Sequence, residues 1–342
     1  MDSFFRVRQT IYDSQLATRN SPLSKMTSFR KAALIYNPMS GQQQDRRAAQ
    51  IETVLAVLRD AGVEADAVAT RGPGTAGAQA LEAVRLGCDA ILACGGDGTV
   101  HEVLQGLVGS SAMLGVVPLG TANALAADMG LPGAADEIAR ALLASSSVSI
   151  AVGRISYRQH DGSAGSRYFT VAAGIGPDAH LLYGLNTQLK RRWGYVAYMA
   201  GALRVWVTHR YPLFEVELSE RGARACTTRT ARVSQLLAVR INNFGGLLGQ
   251  LVPEAALRRN DLCLLAFKTR SRLRYLWYVL AVLLGRHPRV PEIELLNATA
   301  VECRLPSSDV RIHVEADGEP LGTLPATLEI IPDAVKLLMP KA

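Results

Sequence analysis

The sharpest chemical signal in the chain is the run Cys94-Gly95-Gly96-Asp97-Gly98-Thr99-Val100-His101-Glu102. Glycine lets backbone amides approach a phosphate closely, and a helix that follows offers unpaired N–H groups and the positive end of its dipole. A carboxylate inside such a cradle repels phosphate. Asp97 therefore points to a divalent cation between the two, held directly or through water, as magnesium is beside nucleotide phosphates. The alternative is a tight turn in which Asp97 bonds its own backbone. The turn has neither the Lys-Ser/Thr ending of the P-loop nor the third glycine of the dinucleotide motif, which weakens a hydride-transfer reading.

Three more turns could add phosphate or base contacts: Asn37-Pro38-Met39-Ser40-Gly41, Thr70-Arg71-Gly72 and Leu119-Gly120-Thr121-Ala122-Asn123. Each alone reads equally as an ordinary loop. Asp317-Gly318, between two strand-like runs, reads as a hairpin turn with Glu319 on its shoulder. His101, His180 and His287 show no ligand spacing. The five cysteines are odd in number, unevenly spaced and form no C-x-x-C, so neither a zinc site nor a disulfide framework is expected, and a reducing interior is the natural home.

These turns need elements to hold them. An apolar run at 32–36 stops at the first turn and precedes an amphipathic segment at 45–61; a strand at 63–69 precedes a helix at 75–86. A strand at 90–94 leads through the glycine run to a helix, and a strand at 114–117 leads through 118–121 to a helical stretch at 122–129. Four strand–helix repeats imply a parallel sheet covered on both faces, with ligands outside the carboxyl ends of its strands, where all these turns fall. After residue 149 the pattern changes to β-branched and alternating runs at 168–173, 214–218, 233–241, 262–267, 301–305, 310–314 and 327–331, typical of an antiparallel sandwich or barrel. Two helices, at 189–208 and 272–284, interrupt it. The expected organisation is an extension of unknown role at 1–29, a nucleotide-binding α/β domain at 30–150 and a β-rich acceptor domain at 151–342, with the chain end a candidate to return to the first domain.

Taken in order on these strands, Asn37-Pro38-x-Ser40-Gly41, Gly95-Gly96-Asp97-Gly98-Thr99 with Glu102, and Pro118-Leu119-Gly120-Thr121-Ala122-Asn123 resemble the diacylglycerol kinase catalytic domain shared by bacterial lipid kinases, sphingosine kinases and ceramide kinases. The resemblance runs from about Lys31 to the C-terminus and includes Lys190-Arg191-Arg192-Trp193-Gly194-Tyr195-x-x-Tyr198, Asn242-Asn243-Phe244-Gly245-Gly246 and Ala316-Asp317-Gly318-Glu319-Pro320. It implies a two-domain fold like that of NAD kinases, with a Rossmann-like parallel-sheet domain followed by an antiparallel β-sandwich domain. It implies an ATP-dependent kinase for a membrane lipid alcohol such as diacylglycerol or a sphingoid base, with ATP and Mg2+ as cofactors. Asn37, Ser40, Thr70, Gly95, Gly96, Asp97, Gly98, Thr99, Glu102 and Thr121 would then hold the nucleotide. Glu319, with Asp97 and Asp317 beside it, would form the catalytic set, Glu319 accepting the lipid hydroxyl's proton. No metal ligand is assigned directly. The alternatives are a non-catalytic nucleotide or lipid sensor and an NAD kinase-like small-molecule kinase.

Two features depart from that pattern. Family members usually read Gly-Thr-x-Asn-Asp, whereas Ala124 follows Asn123 here, and Ala151 stands where an acid is common; both lose negative charge that helps organise magnesium and water in bacterial diacylglycerol kinases. The Asp-Gly pair that accompanies a second, structural metal is altered to Asn260-Asp261.

Composition bounds the rest. The chain has 342 residues, with 37 Lys+Arg against 30 Asp+Glu, a net charge of +7 that favours anionic partners. Aromatics among basic residues at 190–210 and 270–286 suit either a membrane interface or a core helix with a solvated basic end. The apolar run at 276–284 is far shorter than the roughly 20 residues that span a bilayer, and the N-terminus lacks a signal-peptide core. The expected partners are ATP, a membrane lipid alcohol and an anionic membrane surface, with no nucleic acid; a second copy of the chain is a further candidate. The expected location is cytoplasmic, peripheral on the inner membrane face, in phospholipid biosynthesis.

Overall fold

The run Lys31–Tyr36 is apolar at every interior position, which suits a strand covered on both faces. The structure, a computed structural model, describes residues 28–39, 44–184, 195–221, 226–245, 251–286, 290, 292–305 and 310–340, and it builds that run as β1 with residues 32–35 buried. Ser40, Gly41, the 190–194 motif, Gly246, His287 and nearly all of the N-terminal extension lie outside the described residues. Two units make up the chain: Met1–Leu119 with Met129–Val148 and Val335–Ala342, and Gly120–Asp128 with Ser149–Ala334.

The first unit alternates β1, α1 (Gln44–Asp60), β2 (Glu64–Ala69), α2 (Ala76–Arg85), β3 (Ala90–Gly95), α3 (Asp97–Leu107) and β4 (Met113–Pro118); α4 (Ala124–Asp128) belongs to the second unit, and α5 (Ala135–Ala144) returns to the first. The strands pair in parallel in the order β2-β1-β3-β4. Ala32, Leu34, Ala90 and Leu92 share a core with Ile51, Val54 and Leu58 of α1 and Ile138 and Leu142 of α5. The alternate residues Ala33, Ile35, Ile91 and Ala93 turn to the other face, where α2 and α3 lie against β1 and β3. Those two helices cross almost backbone to backbone. A Cβ on Gly77 would stand 2.7 Å from the Glu102 carbonyl oxygen, and one on Gly106 would overlap the Gly77 carbonyl.

The second unit holds β5 (Ser146–Arg158, which starts in the first), β6 (Ala164–Phe169), β7 (Ala172–Ile175), α6 (Pro177–Gly184), α7 (Tyr195–Thr208), β8 (Phe214–Arg221), β9 (Cys226–Val233), β10 (Gln235–Val239), β11 (Leu262–Phe267), α8 (Arg272–Leu283), β12 (Ile293–Ala298), β13 (Ala300–Arg304), β14 (His313–Ala316) and β15 (Glu319–Met339). Antiparallel pairing runs β12-β11-β10-β7-β14-β15, while β15 also pairs with β13 and β5, and β13 leads to β8 and β9. Phe169, Phe214, Leu236, Leu264, Val301 and Leu328 fill the interior. From Val335 the end of β15 belongs to the first unit, where Lys336 and Leu337 pair in parallel with Met113 and Leu114 of β4.

The α/β parallel half and the antiparallel half are both as the sequence leads one to expect. The strand expected at 168–173 is instead two strands. Its break at Thr170 and Val171 has a cause: the amides of Thr170, Val171 and Ala172 turn to the Asp317 carboxylate, at 3.1, 2.9 and 3.1 Å. The run at 233–241 is likewise cut at Ser234, whose amide donates to the Phe267 carbonyl. The run at 327–331 is the interior of a longer strand, β15.

The α2–α3 crossing yields a test. Gly106→Ala adds helix propensity worth about 1 kcal/mol, but overpacking against backbone costs about 1–3 kcal/mol and the carbonyl it meets cannot move as a side chain would. A lower urea midpoint with an unchanged slope is expected, and a higher midpoint would mean the helices part without cost.

Candidate active site

In the first unit, Gly95 ends β3 and the helix begins already at Asp97, inside the run that the sequence offers as a turn. Gly96 is the N-cap of α3, and Asp97, Gly98 and Thr99 form its first turn, with the Thr99 amide donating to the Gly96 carbonyl, so the positive dipole end lies directly after β3. Gly95 cannot be replaced without moving this turn, because a Cβ there would overlap the Thr99 hydroxyl. The Gly95 carbonyl in turn accepts from the Leu119 amide at the end of β4. Among parallel sheets of strand order 2-1-3-4 the crevice lies where the order reverses, outside the ends of β1 and β3. A cavity of ≈ 250 Å³ opens there, lined by Tyr36, Asn37, Pro38, Arg47, Cys94 and Gly95 among others. Asn37 Oδ1 accepts from the Met39 amide, which closes the turn after β1.

The turn after β2 is held from three sides. The Thr70 amide donates to the Tyr36 carbonyl. Buried Gln79 donates to the Ala69 carbonyl and accepts from the Arg71 amide. The third hold was not legible in the sequence: Glu102, expected at the nucleotide, accepts from the amides of Gly74 (3.0 Å) and Ala76 (3.2 Å) at the start of α2. One carboxylate on α3 thus caps α2 and fixes the loop that carries Thr70. Asn37, Thr70 and Gly95–Thr99 sit together at this end of the first unit. The charge of residues 28–119, seven Lys and Arg against nine Asp and Glu, is net negative. Backbone amides, rather than a cluster of cations, are what this half offers a phosphate.

The second unit holds Thr121, Asp317 and Glu319. Asn123, with φ of 50°, closes the 120–123 loop by exchanging hydrogen bonds with Gly120 through both its amide atoms, and leaves Thr121 exposed. Asp128, at the end of α4, accepts from the amides of Asn242 and Asn243, both at 2.9 Å, which anchors the Asn-Asn turn. Asp317 and Gly318, both at positive φ, form the two-residue loop between β14 and β15 that a primed hairpin turn requires. With its carboxylate on three amides, Asp317 acts here as the clamp that orients the turn and, next to it, exposed Glu319.

Behind the hairpin lies a buried acid pair that no motif in the sequence announced. A Cβ on Gly174 would overlap the Asp178 carboxylate and stand 2.6 Å from Glu315 Oε1, so both acids lie over that one glycine. Burial pushes the Asp178 carboxyl up to about 7; the amides of Asp178 and Ala179 offset part of this, but neither oxygen meets a donor in hydrogen-bonding geometry. Glu315 is raised well above the carboxylate range by burial first and then by the Asp178 charge, while its Oε2 accepts from the Gly318 amide. Both shifts run upward, so the pair is pushed toward keeping a proton. His180, His209 and His313 meet in tilted contacts at ring separations of 4.7 and 5.1 Å, and burial pushes His209 and His313 down to about 4, so both are neutral near pH 7. Among the described residues no group of three or more His, Cys, Asp or Glu has the arrangement of a metal site.

With this geometry established, similarity can be read against it. Residues 31–155 match the diacylglycerol kinase catalytic domain, and residues 170–339 match the YegS C-terminal NAD kinase beta sandwich-like domain. Similar proteins include the diacylglycerol kinase of Bacillus subtilis (strain 168), 26% identical over 315 residues that cover 92% of this chain and 97% of that protein. The diacylglycerol kinase of Staphylococcus aureus (strain MRSA252) is 26% identical over 300 residues, 87% of this chain and 88% of that one. A putative diacylglycerol kinase from Bacillus anthracis str. Sterne has the same fold, with a TM-score of 0.70 at 18% identity over 92% of this chain and 96% of that chain. Yeast NADH kinase, crystallised with NADH, aligns with a TM-score of 0.53 at 11% identity over 92% of this chain and 84% of that chain. The two matched domains, in this order and on these strands and turns, make the chain a member of the diacylglycerol kinase catalytic-domain family.

Proposed function

We propose that the protein is an ATP-dependent lipid kinase that transfers the γ-phosphate of ATP to the hydroxyl of a membrane lipid such as diacylglycerol or a sphingoid base, working from the cytoplasm at an anionic membrane face. The observation that carries the reading is the glycine-rich first turn of α3 directly after β3, at the same strand end as the cavity lined by Asn37, Cys94 and Gly95. Asn37, Thr70 and Gly95–Thr99 grip the nucleotide, and Thr121 is assigned to it as well. Asp97, an acid on a turn otherwise built for phosphate, fits a magnesium ion held by one carboxylate, nucleotide oxygens and water, which neutralises phosphate charge when bound. Phosphoryl transfer asks little covalent chemistry of a protein. Glu319 takes the proton as the lipid oxygen forms its bond to the γ-phosphorus and the bond to ADP breaks. Asp317 holds that base in place.

A non-catalytic nucleotide or lipid sensor is the competing reading, favoured by Ala124 and Ala151 in place of acids. Transfer of label from γ-labelled ATP to a lipid extract decides between them. Activity is expected on lipid alcohols, and Glu319→Gln is expected to lower kcat by about 10²–10⁴ while ATP affinity stays within about twofold. ATP binding with no transfer to any lipid would leave the sensor, and full turnover by the Gln variant would remove Glu319 from its role.

The acid pair gives an independent check. A folded-state pKa raised above the unfolded value stabilises the native state at low pH, and that contribution is lost as pH rises from about 4 through about 7. His209 and His313 act in the opposite sense, losing stability as pH falls below their unfolded value. The comparison of variant with parent isolates the acid: Asp178→Asn should gain about 2–4 kcal/mol relative to the parent between pH 5 and pH 8 in urea unfolding. A difference independent of pH would show that Asp178 is ionised in the native state.

A further inference from the structure

Helix α8 is apolar on both faces, yet only one is covered. Tyr278 and Ala281 are buried, with Tyr275 and Val282 partly so, against Val239, Phe267 and Ile293 of the sheet. On the outer face Leu273, Trp277, Leu280 and the following Leu284 are 73, 56, 43 and 63% exposed, with Leu276 between them. Their spacing of three to four residues forms one continuous stripe. Helix α7 extends it: the Trp206 indole N–H donates to the Arg272 carbonyl (2.9 Å), and Leu203 and Val207 are exposed beside it. Soluble proteins seldom leave so many large apolar side chains together without a use for them.

The charge around the stripe selects the occupant. Residues 179–214 and 262–291 contain eleven Lys and Arg and no Asp or Glu, whereas the rest of the chain carries 26 basic and 30 acidic residues. The whole positive excess of the protein is therefore in the two stretches of sequence that contain α7 and α8. Arg204, Arg210, Arg270, Arg272 and Arg286 are exposed and make no ion pair among the described residues, while Lys268 reaches Glu294 at 2.5 Å and Arg274 reaches Glu292 at 3.5 Å. Twelve helical residues are too few to cross a bilayer, and no helix among the described residues is long and apolar enough to do so. A short helix with an indole and leucines outward and arginines at its flanks has the make-up of an element that lies in the interfacial plane of anionic lipid.

We infer that the outer face of α8, with Leu203 and Val207 of α7, is the surface by which this protein inserts into an anionic bilayer, its apolar stripe at acyl depth and its arginines at the phosphates. The choice of a bilayer over a protein partner rests on the lipid-kinase reading, but the surface can be tested without turnover. The full chain is sedimented with vesicles of phosphatidylcholine and with equimolar phosphatidylcholine and phosphatidylglycerol. Binding is expected to the second, weakening as salt rises. Trp277→Gln with Leu280→Gln should weaken it at least about tenfold, and Arg270→Gln with Arg272→Gln should weaken it and flatten the salt dependence, while Trp277→Phe retains most of it. Because these side chains face outward, the melting temperature should not fall.

Equal sedimentation of the parent and the Trp277/Leu280 variant would overturn the inference. So would a parent that ignores vesicles but self-associates through these residues, which would make the face a contact between copies. The two proposals separate cleanly. Vesicle binding through α8 with no phosphate transfer to detergent-dispersed lipid sinks the kinase and leaves the surface; transfer to dispersed lipid with unaltered vesicle binding in the variant does the reverse.

Discussion

The interior of the second unit is organised around a charge that water does not reach. The Arg240 side chain is 1% exposed, and its guanidinium donates to the carbonyls of Ala151, Leu257, Arg259 and Asp261 at 2.6–3.0 Å. Burial lowers its pKa to about 10, so it remains a cation at neutral pH. A buried charge is tolerated only where its hydrogen-bonding capacity is met, and four carbonyls turned inward meet most of it. The reverse also holds: those carbonyls, drawn from β5 and from the loop before β11, would have no donor without it. The two departures noted at Ala151 and at Asn260-Asp261 thereby become one. Both positions lie around the same guanidinium, through the carbonyls of Ala151 and Asp261, while the Asp261 carboxylate is engaged by Arg259 at 2.7 Å. An arginine, not an acid, governs the electrostatics of this corner.

The acid pair over Gly174 is the opposite solution to the same constraint. Asp178 and Glu315 are 137 residues apart in sequence and bring no cation with them, so the charge is relieved by retaining a proton instead. The hairpin that carries Glu319 is built on this pair, since Glu315 accepts from Gly318 while Asp317 gathers the amides of residues 170–172.

The parts visible in the sequence were those written in local period and turn chemistry. The strands at 31–36 and 90–95 are short apolar runs stopped by turn formers, and 317–318 is an Asp-Gly pair between strands; each is decided by residues within a few positions. What escaped was decided by partners far along the chain. Glu102 sits four residues past the glycine turn's core and reads as part of it, yet its oxygens are claimed by amides 26 and 28 residues earlier. Thr170 and Val171 look like mid-strand residues until Asp317 takes their amides, 147 and 146 residues away. The helix Ala135–Ala144 and the full length of β5 gave little signal because alanine and serine fit several local structures, and packing onto α1 and β15 settles them.

Net charge shows the same lesson at the scale of the whole molecule. A chain at +7 invites the reading that its basic residues are there for a nucleotide. Residues 28–119, which carry the glycine turn, are net negative, and a triphosphate brought there adds to that charge. Amides at a helix N-terminus can orient phosphate oxygens but supply only partial charges, so under the proposed function a divalent cation would complete the neutralisation. Arg47 lines the cavity, but the unpaired arginines without acidic neighbours in sequence gather around the uncovered stripe of α8. Division of labour follows from the physics of each ligand: a soluble anion that must bind and leave is best held by dipoles and an exchangeable ion, whereas a charged surface that extends in two dimensions is best met by a permanent field of arginines flanking an apolar face.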